Sequence, residues 1–261
     1  MLRSLNTAAT GMDSQQELID TLSNNLANVN TTGFKASRAN FQDLMYQTER
    51  APGLQTTTGV ISPSGIQIGN GSRLVSVEKS FEPGSSKITN KETDLAIMGN
   101  GFFRIQVPDG TISYTKDGTF RRNADGRLVT SEGFPLVPEI VVPANTLNLK
   151  IGLDGIVTAK VSGEVEPKNL GQIQIANFVN PAGLNASGRN LFAQTPASGE
   201  PIVGVPGENG TGSISQGQLE SSNVNIVEEM VQMIMGQRAY ELNGKVIKTG
   251  DEMLSATNQI I

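Results

Sequence analysis

The sequence predicts an α+β protein whose N- and C-terminal helices pair in a coiled-coil-like domain, with a central all-β domain and an extended insert between them. Three features carry this prediction: apolar heptads near both termini, Asp-Gly turns between strand-like runs, and a Thr-, Gly-, Ser- and Pro-rich stretch after the first helix. We expect residues 1–33 with 222–261 to form the terminal-helix domain, 34–72 the insert and 73–221 the β domain.

Composition limits the chemistry that the chain can perform. Its 261 residues carry a formal net charge of −5 and include neither cysteine nor histidine. Disulfides, Cys/His metal sites, thiol nucleophiles and histidine acid–base catalysis are therefore excluded, and we expect no cofactor. The mildly acidic charge argues against nucleic-acid binding. Without a long apolar run or a signal-peptide pattern, we expect neither a membrane-integral segment nor a cleaved secretory signal.

The first helix is predicted from apolar residues that alternate three and four places apart, which is the spacing of a coiled-coil seam. Its predicted seam residues are Leu5, Met12, Ile19, Leu22, Leu26 and Val29. A core helix of a globular domain is the alternative that the same pattern allows. Because Gly11 weakens the helix, we expect it to need a packing partner.

The stretch Thr21–Lys35 ends this helix and has an unusual composition. Several amides lie beside the apolar seam, although asparagine is a poor residue for a helix interior. These amides are Asn24, Asn25 and Asn28. Their presence indicates a defined contact with a partner, and Gly33 suits a left-handed turn that stops the helix.

Residues 48–72, which make up most of the predicted insert, are rich in Thr, Gly, Ser and Pro. A disordered linker is one interpretation of this composition. Apolar anchors such as Ile66 and Ile68, which a free linker would lack, favour a structured segment instead.

The β domain is predicted from short β-forming runs separated by Asp-Gly turns. Carboxylates in or near these turns are the candidates for acid–base chemistry, namely Asp94, Asp109, Asp117, Asp125 and Asp154. A glycan-acting enzyme or an adhesin on a β scaffold is therefore an alternative function. Most of these aspartates stand in turn dipeptides, where the residue has a local structural role.

The last helix is predicted to begin in a cap region at Ser221–Asn223, with Glu228 and Glu229 near its positive end. Its apolar residues form a second seam with a register shift, together with an outer face that two paired helices leave uncovered. The candidate contact residues are Val227, Val231, Ile234, Met235, Leu242, Val246, Met253 and Ile260. Uncovered apolar residues predict further partners outside the chain.

Three motifs resemble those of the bacterial flagellar rod and hook axial protein family. They are Asn24–Lys35, Asp94–Phe103, and Ser221–Met230 followed by Gln237–Glu241. The motifs occur in the family's order, and the resemblance covers essentially the whole chain. Length and insert are most similar to the distal rod branch of the family, with a proximal rod or hook subunit as the alternative.

The resemblance implies a non-enzymatic, self-assembling subunit of a stiff hollow rod that crosses the periplasm, transmits torque and carries the export channel. The terminal-helix residues named above would contact neighbouring subunits, and Gly33 and Phe34 would form the hinge where the chain leaves the inner tube. The insert would stiffen the rod through intersubunit contacts. Its implied contact residues are Pro52, Gly53, Pro63, Gly65, Ile66 and Ile68.

The resemblance also implies partners. These are proximal rod proteins below, the hook protein with any junction above, the surrounding P- and L-ring bushing, and the flagellar type III export apparatus. Phe41 and Met45 match the Phe-x-x-x-apolar spacing of the family's export element. Simple packing of these two residues at i,i+4 on a helix is the alternative.

Overall fold

The computed structural model describes four stretches of the chain, which are residues 2–53, 64–163, 166–208 and 210–258. The chain divides into two compact units. We call residues 1–26, 37–78 and 225–261 the helical unit, and residues 27–36 and 79–224 the β unit. The main difference from the predicted domains is that most of the insert belongs with the two helices.

The helical unit contains helices α1 (Leu2–Ala27) and α2 (Ile226–Asn258). The side chain of Asn225 caps α2, since its Oδ1 accepts the Val227 N–H at 3.2 Å. Glu228 and Glu229 lie in the first turn, where the helix dipole favours carboxylates. The predicted cap region at Ser221–Asn223 is therefore wrong, because the helix begins after Asn225.

The insert forms strands. β1 (Ser37–Asp43) pairs with β4 (Ser72–Lys79), and β2 (Gln47–Arg50) pairs antiparallel with β3 (Ile66–Ile68). The disordered-linker interpretation is therefore wrong for the described part of the insert. Two-stranded ribbons are marginally stable alone in water, so these ribbons depend on packing against other elements.

The β unit confirms the prediction of an all-β region of short strands. Its strands are β5 (Ser86–Ile88), β6 (Leu95–Met98), β7 (Phe102–Gln106), β8 (Ile112–Thr115), β9 (Arg121–Arg122), β10 (Leu128–Val129), β11 (Thr146–Ile151), β12 (Ile156–Val161), β13 (Lys168–Gln172), β14 (Ile175–Asn177), β15 (Asn185–Gly188), β16 (Leu191–Ala193), β17 (Ile202–Gly204), β18 (Ser213–Gln216) and β19 (Gln218–Glu220). A short 3-10 helix, Pro181–Gly183, follows β14.

The strands form several small sheets in the described part of the β unit. The largest has six strands in the order β15-β16-β8-β7-β14-β17, and a second has the order β11-β12-β13. Strands β9 and β10, β6 and β18, and β5 and β19 pair antiparallel as separate ribbons. The last two ribbons join the beginning of the β unit to its end.

The β unit has its own hydrophobic core. Its main cluster includes Phe103, Ile105 and Ile214, which are fully buried. A second cluster is aromatic, and Tyr114 packs edge-on against Phe178 with ring centroids 4.8 Å apart. A unit with a core of this kind can hold its fold without packing against another domain.

Candidate self-association surface

Helix α2 carries a continuous row of exposed apolar side chains. We call this row the α2 stripe, and its members are Val227, Val231, Ile234, Met235, Leu242, Val246 and Met253. Val227 is 70% exposed and Leu242 is 61% exposed. At about 100° per residue these positions share one half of the helix surface. A contiguous exposed apolar surface of this kind marks a site for a protein partner.

The opposite side of α2 faces α1. A Cβ atom placed on Gly236 would lie 3.3 Å from Ile19 Cγ1, and one on Gly250 would lie 2.7 Å from Leu5 Cδ2. Both pairs of positions are fourteen residues apart but in opposite order along the two helices. The helices therefore run antiparallel where these residues meet, and the two glycines permit the close approach.

The assignment of the α2 seam from sequence is corrected by these contacts. The seven-residue spacing of Met235 and Leu242 predicts that both lie in the seam between paired helices, yet their side chains lie on the exposed stripe. The contacts to α1 come from the next positions along the chain, Gly236 and Asn243. Glycine and asparagine are not apolar side chains, so they do not contribute to an apolar repeat. The repeat therefore predicts the position of the stripe but not the side of α2 that α1 covers.

The seam predicted for α1 lies mostly on its covered side. Leu22 is buried, and Leu5, Met12, Ile19 and Leu26 are half-buried. Val29 is also half-buried and lies in the β unit, beyond the end of α1. The remaining terminal position, Ile260, lies outside the described residues.

Asn25 uses its amide within the helical unit. Its side chain is 1% exposed, donates to Ser37 O at 2.8 Å and accepts the Ser37 N–H at 2.8 Å. The same amide nitrogen lies 3.3 Å from both carboxylate oxygens of Glu229. Partial burial raises the pKa of Glu229, while the bond from Asn25 opposes that shift. Asn25 therefore ties α1 to the start of β1 and to α2 within the helical unit, and a contact from Asn25 to a neighbouring subunit stays a prediction.

The other two amides differ from Asn25. Asn24 is exposed on α1. Asn28 is half-buried in the β unit, where its Oδ1 accepts the hydroxyl of Thr31 at 3.2 Å and its carbonyl accepts the Thr31 N–H at 3.1 Å. Contacts from Asn24 and Asn28 to neighbouring subunits remain predictions.

Gly33 makes the left-handed turn that the sequence predicts, with a φ of +68°. Its N–H donates to Glu220 O at 2.8 Å, and a Cβ atom here would lie 2.7 Å from Asp117 N. A larger residue would therefore meet both conformational strain and backbone overlap. The ring of Phe34 lies 4.8 Å from Lys79 Nζ, a cation–π distance.

A buried cluster of charges follows Gly33, and sequence reasoning missed it. Lys35 and Glu220 are almost fully buried, and their Nζ and Oε1 atoms are 2.6 Å apart. Lys116 Nζ lies 3.8 Å from the other oxygen of Glu220 and donates to Gly99 O at 2.8 Å. Burial lowers the pKa of Lys116 to about 8; Glu220 opposes this shift and Lys35 adds to it. Because the three charged residues are far apart in sequence, no local pattern could reveal the cluster.

The ribbons of the insert expose apolar side chains as well. Met45 is 88% exposed, and Tyr46, Ile66, Val75 and Phe41 are exposed to lesser degrees. Phe41 belongs to β1 and Met45 lies beyond its end, so the alternative of i,i+4 packing on a helix is wrong. Both side chains are accessible to a partner.

The predicted insert residues lie at or near the β2–β3 ribbon. Pro52 and Gly53 form an exposed turn, in which Gly53 has a φ of +83°. Gly65 approaches the backbone of Arg50 closely, and Ile68 is half-buried. Pro63 lies outside the described residues.

Three of the five candidate acids accept hydrogen bonds within their own turns. Asp109 and Asp154 accept backbone N–H groups two residues ahead, at 3.3 and 3.2 Å. The pKa of Asp109 is lowered by its bonds to Thr111. Asp117 accepts the Thr119 N–H at 3.0 Å in the same manner. No group of three or more Asp or Glu side chains that could hold a metal ion occurs among the described residues.

Comparison with known proteins shows the protein family to which the chain belongs. Three models of flagellar families match the chain: flagella basal body rod protein over residues 5–35, flagellar hook protein FlgE/F/G D1 domain over 96–159, and flagellar basal body rod FlgEFG protein C-terminal over 215–260. The first match covers most of α1, the second lies within the β unit, and the third includes α2. The chain belongs to the family of flagellar basal-body rod proteins.

Relatives that match along nearly the full chain are flagellar basal-body rod proteins named FlgG. The chain is 50% identical over 260 residues to the flagellar basal-body rod protein FlgG of Buchnera aphidicola subsp. Schizaphis graminum, with 100% of both chains covered. It is 48% identical to FlgG of Borreliella burgdorferi, covering 100% of this chain and 99% of the relative. It is 38% identical to FlgG of Bacillus subtilis, covering 97% of each. The prediction of the rod and hook family from three motifs is therefore confirmed.

Within the described residues, neither helix has a stretch apolar and long enough to cross a membrane.

Proposed function

We propose that the chain is a structural, non-enzymatic subunit of the distal rod in the flagellar basal body, and that it assembles with copies of itself. The observation that carries the proposal is the α2 stripe, which exposes large apolar side chains on a helix whose other side is already packed. Because the chain belongs to the rod family, we infer that the partner which covers this surface is a second copy of the chain.

Assembly would also complete the terminal helices. A helix that leaves half its apolar surface in water gains stability when a neighbour covers it, so ordering and polymerisation are coupled. Continuous antiparallel pairing of α1 and α2 in a coiled coil is part of this proposal, with the pair lining the inner tube of a hollow rod. The contacts at Gly236 and Gly250 support that pairing.

The insert would supply the contacts that stiffen the rod against bending. Its two ribbons are too small to be stable alone and expose residues such as Met45 and Ile66. A ribbon that neighbours clamp on both faces resists bending, because every displacement breaks apolar contacts. In this role the subunits transmit torque along the rod.

The remaining partners follow from the family setting. Proximal rod proteins would lie below the subunit and the hook above it, within the P- and L-ring bushing in the periplasm. Export would use the flagellar type III apparatus without a cleaved signal peptide. The exposed side chains of Phe41 and Met45 are accessible to an export receptor.

The test is polymerisation of the purified chain, measured by sedimentation and electron microscopy. Leu242→Glu places a charge on the α2 stripe and should raise the concentration needed for polymerisation about tenfold or more. Leu153→Glu is the matched control, because Leu153 is 69% exposed in the β unit. Equal effects of the two substitutions would show that the stripe is not the interface.

A further inference from the structure

Three segments that border the unit boundaries meet at one place in the β unit. Residues 27–36, 79–85 and 220–224 each contain or adjoin a point where the chain passes between the units. Backbone bonds join them: the Gly33 N–H donates to Glu220 O at 2.8 Å, and the Ser80 N–H donates to Ala36 O at 2.8 Å. The Ser221 N–H donates to Ser85 O at 2.8 Å.

Asn223 adds side-chain bonds between the same segments. Its Oδ1 accepts the Ala36 N–H at 2.8 Å, and its amide nitrogen donates to Ser80 O at 3.0 Å and to Glu82 O at 3.2 Å. One side chain thus links all three segments. Only neutral groups take part in these bonds.

The charged cluster lies at the centre of this arrangement. Lys35 donates to both Glu220 Oε1 and Glu82 O at 2.6 Å, and the same Glu220 oxygen accepts the Gly84 N–H at 3.0 Å. Buried, charge-assisted bonds of this kind are stronger than neutral ones. Every segment is therefore attached to the Lys35–Glu220 pair.

We propose that Glu220 is a shared counter-ion for Lys35 and Lys116, and that this clamp fixes the spacing at which the three segments leave the β unit. One carboxylate between two ammonium groups gives an asymmetric cluster. Loss of Glu220 leaves two buried positive charges without a counter-ion, whereas loss of Lys116 leaves one balanced pair. Replacing the three residues should therefore have unequal effects. Equal effects would be expected if the side chains only filled space.

The other charged groups near the clamp do not replace Glu220. Lys79 is a third cation, and its Nζ lies 3.3 Å from Lys35 O. Burial lowers the pKa of Lys79. The carboxylate of Asp117, next to Lys116, bonds to Thr119. Among the described contacts, Glu82 reaches Lys35 through its backbone carbonyl.

Amide hydrogen exchange of the full-length monomer, measured by mass spectrometry, tests the clamp without requiring assembly. In Glu220→Gln, exchange at Gly33, Ala36, Gly84 and Ser221 should rise about tenfold or more, while strand β7 changes by less than about twofold. Lys116→Met should stay within about threefold of the wild type, because the Lys35–Glu220 pair remains. The matched control is Glu132→Gln, which removes an exposed ion pair with Arg189.

Two results would overturn the proposal. One is uniform loss of protection across the β unit in Glu220→Gln, and the other is an equal effect of Lys116→Met. If Glu220→Gln does not fold, the pH dependence of amide protection in the wild-type protein provides the test. Loss of the Lys116 proton, with its pKa of about 8, should change the protection of the same amides relative to β7 by less than about threefold as the pH rises from about 7 to about 9, because the Lys35–Glu220 pair remains. A larger fall in their protection would show that Lys116, and not Glu220, holds the three segments, and would refute the clamp.

Discussion

Lys116 should make the protein more stable as the solution becomes alkaline. Burial lowers the pKa of this lysine from 10.5 to about 8 in the folded chain. Between these two values the unfolded chain binds more protons than the folded chain does, so the free energy of unfolding rises with pH. Below about pH 8 both states hold the proton, so Lys116 adds no pH-dependent gain to the free energy of unfolding.

The size of the effect follows from the shift in pKa. A change from 10.5 to about 8 corresponds to about 3 kcal/mol, since each pKa unit is worth roughly 1 kcal/mol or slightly more. Between about pH 7 and about pH 9.5 the expected gain is about 2 kcal/mol, because the unfolded state is still protonated there. Stopping at about pH 9.5 also avoids Tyr114, whose pKa is raised by burial above the usual value of 10.0.

Urea unfolding of the monomer, followed by near-ultraviolet circular dichroism, measures this gain. Tyr114 is the useful probe because it is buried in the β unit, whereas Tyr46 and Tyr240 are exposed. Lys116→Met should reduce the rise and leave the part that Lys79 contributes, because burial lowers the pKa of Lys79 as well. Lys150→Met, which removes an exposed lysine of the same unit, should preserve the full rise. A flat wild-type profile, or an equal slope in Lys116→Met, would refute the reasoning.

Three further predictions concern the terminal helices and the residue that follows α1. Asn25→Leu should destabilise the monomer by about 2–4 kcal/mol in urea unfolding, because both backbone groups of Ser37 lose their partner; a change below about 0.5 kcal/mol would contradict this role. Asn28→Leu should alter sedimentation of polymers more than monomer stability, and the reverse order would count against an intersubunit contact. Deleting residues 225–261 should abolish polymerisation while Tyr114 keeps its near-ultraviolet signal, and a truncated chain that still polymerises would contradict the assignment of the α2 stripe.

The fold class could be predicted because its signals are local. Heptad spacing identified both helices, and Asp-Gly turns identified a region of short strands. The division of the chain could not be predicted in the same way. Residues 37–78 belong with the helices, and one contact that attaches them is the hydrogen bond from Asn25 on α1 to Ser37 O, which no local sequence pattern reveals.

The candidate surface was predictable only in part. Apolar periodicity selected Val231 and Leu242, which the structure places on one exposed stripe. The same periodicity could not show that Gly236 and Gly250 face α1, because small residues carry no apolar signal. Asn25 was recognised as unusual, but its partner Ser37 lies beyond the helix end and emerges only in three dimensions.

The central claim is that copies of this chain cover the α2 stripe in a hollow rod. Electron cryomicroscopy of polymers formed by the purified wild-type chain tests it most directly. The claim predicts a straight tube in which neighbouring subunits bury Val231 and Leu242. A polymer that leaves these side chains facing solvent, or a curved and flexible tube, would contradict it.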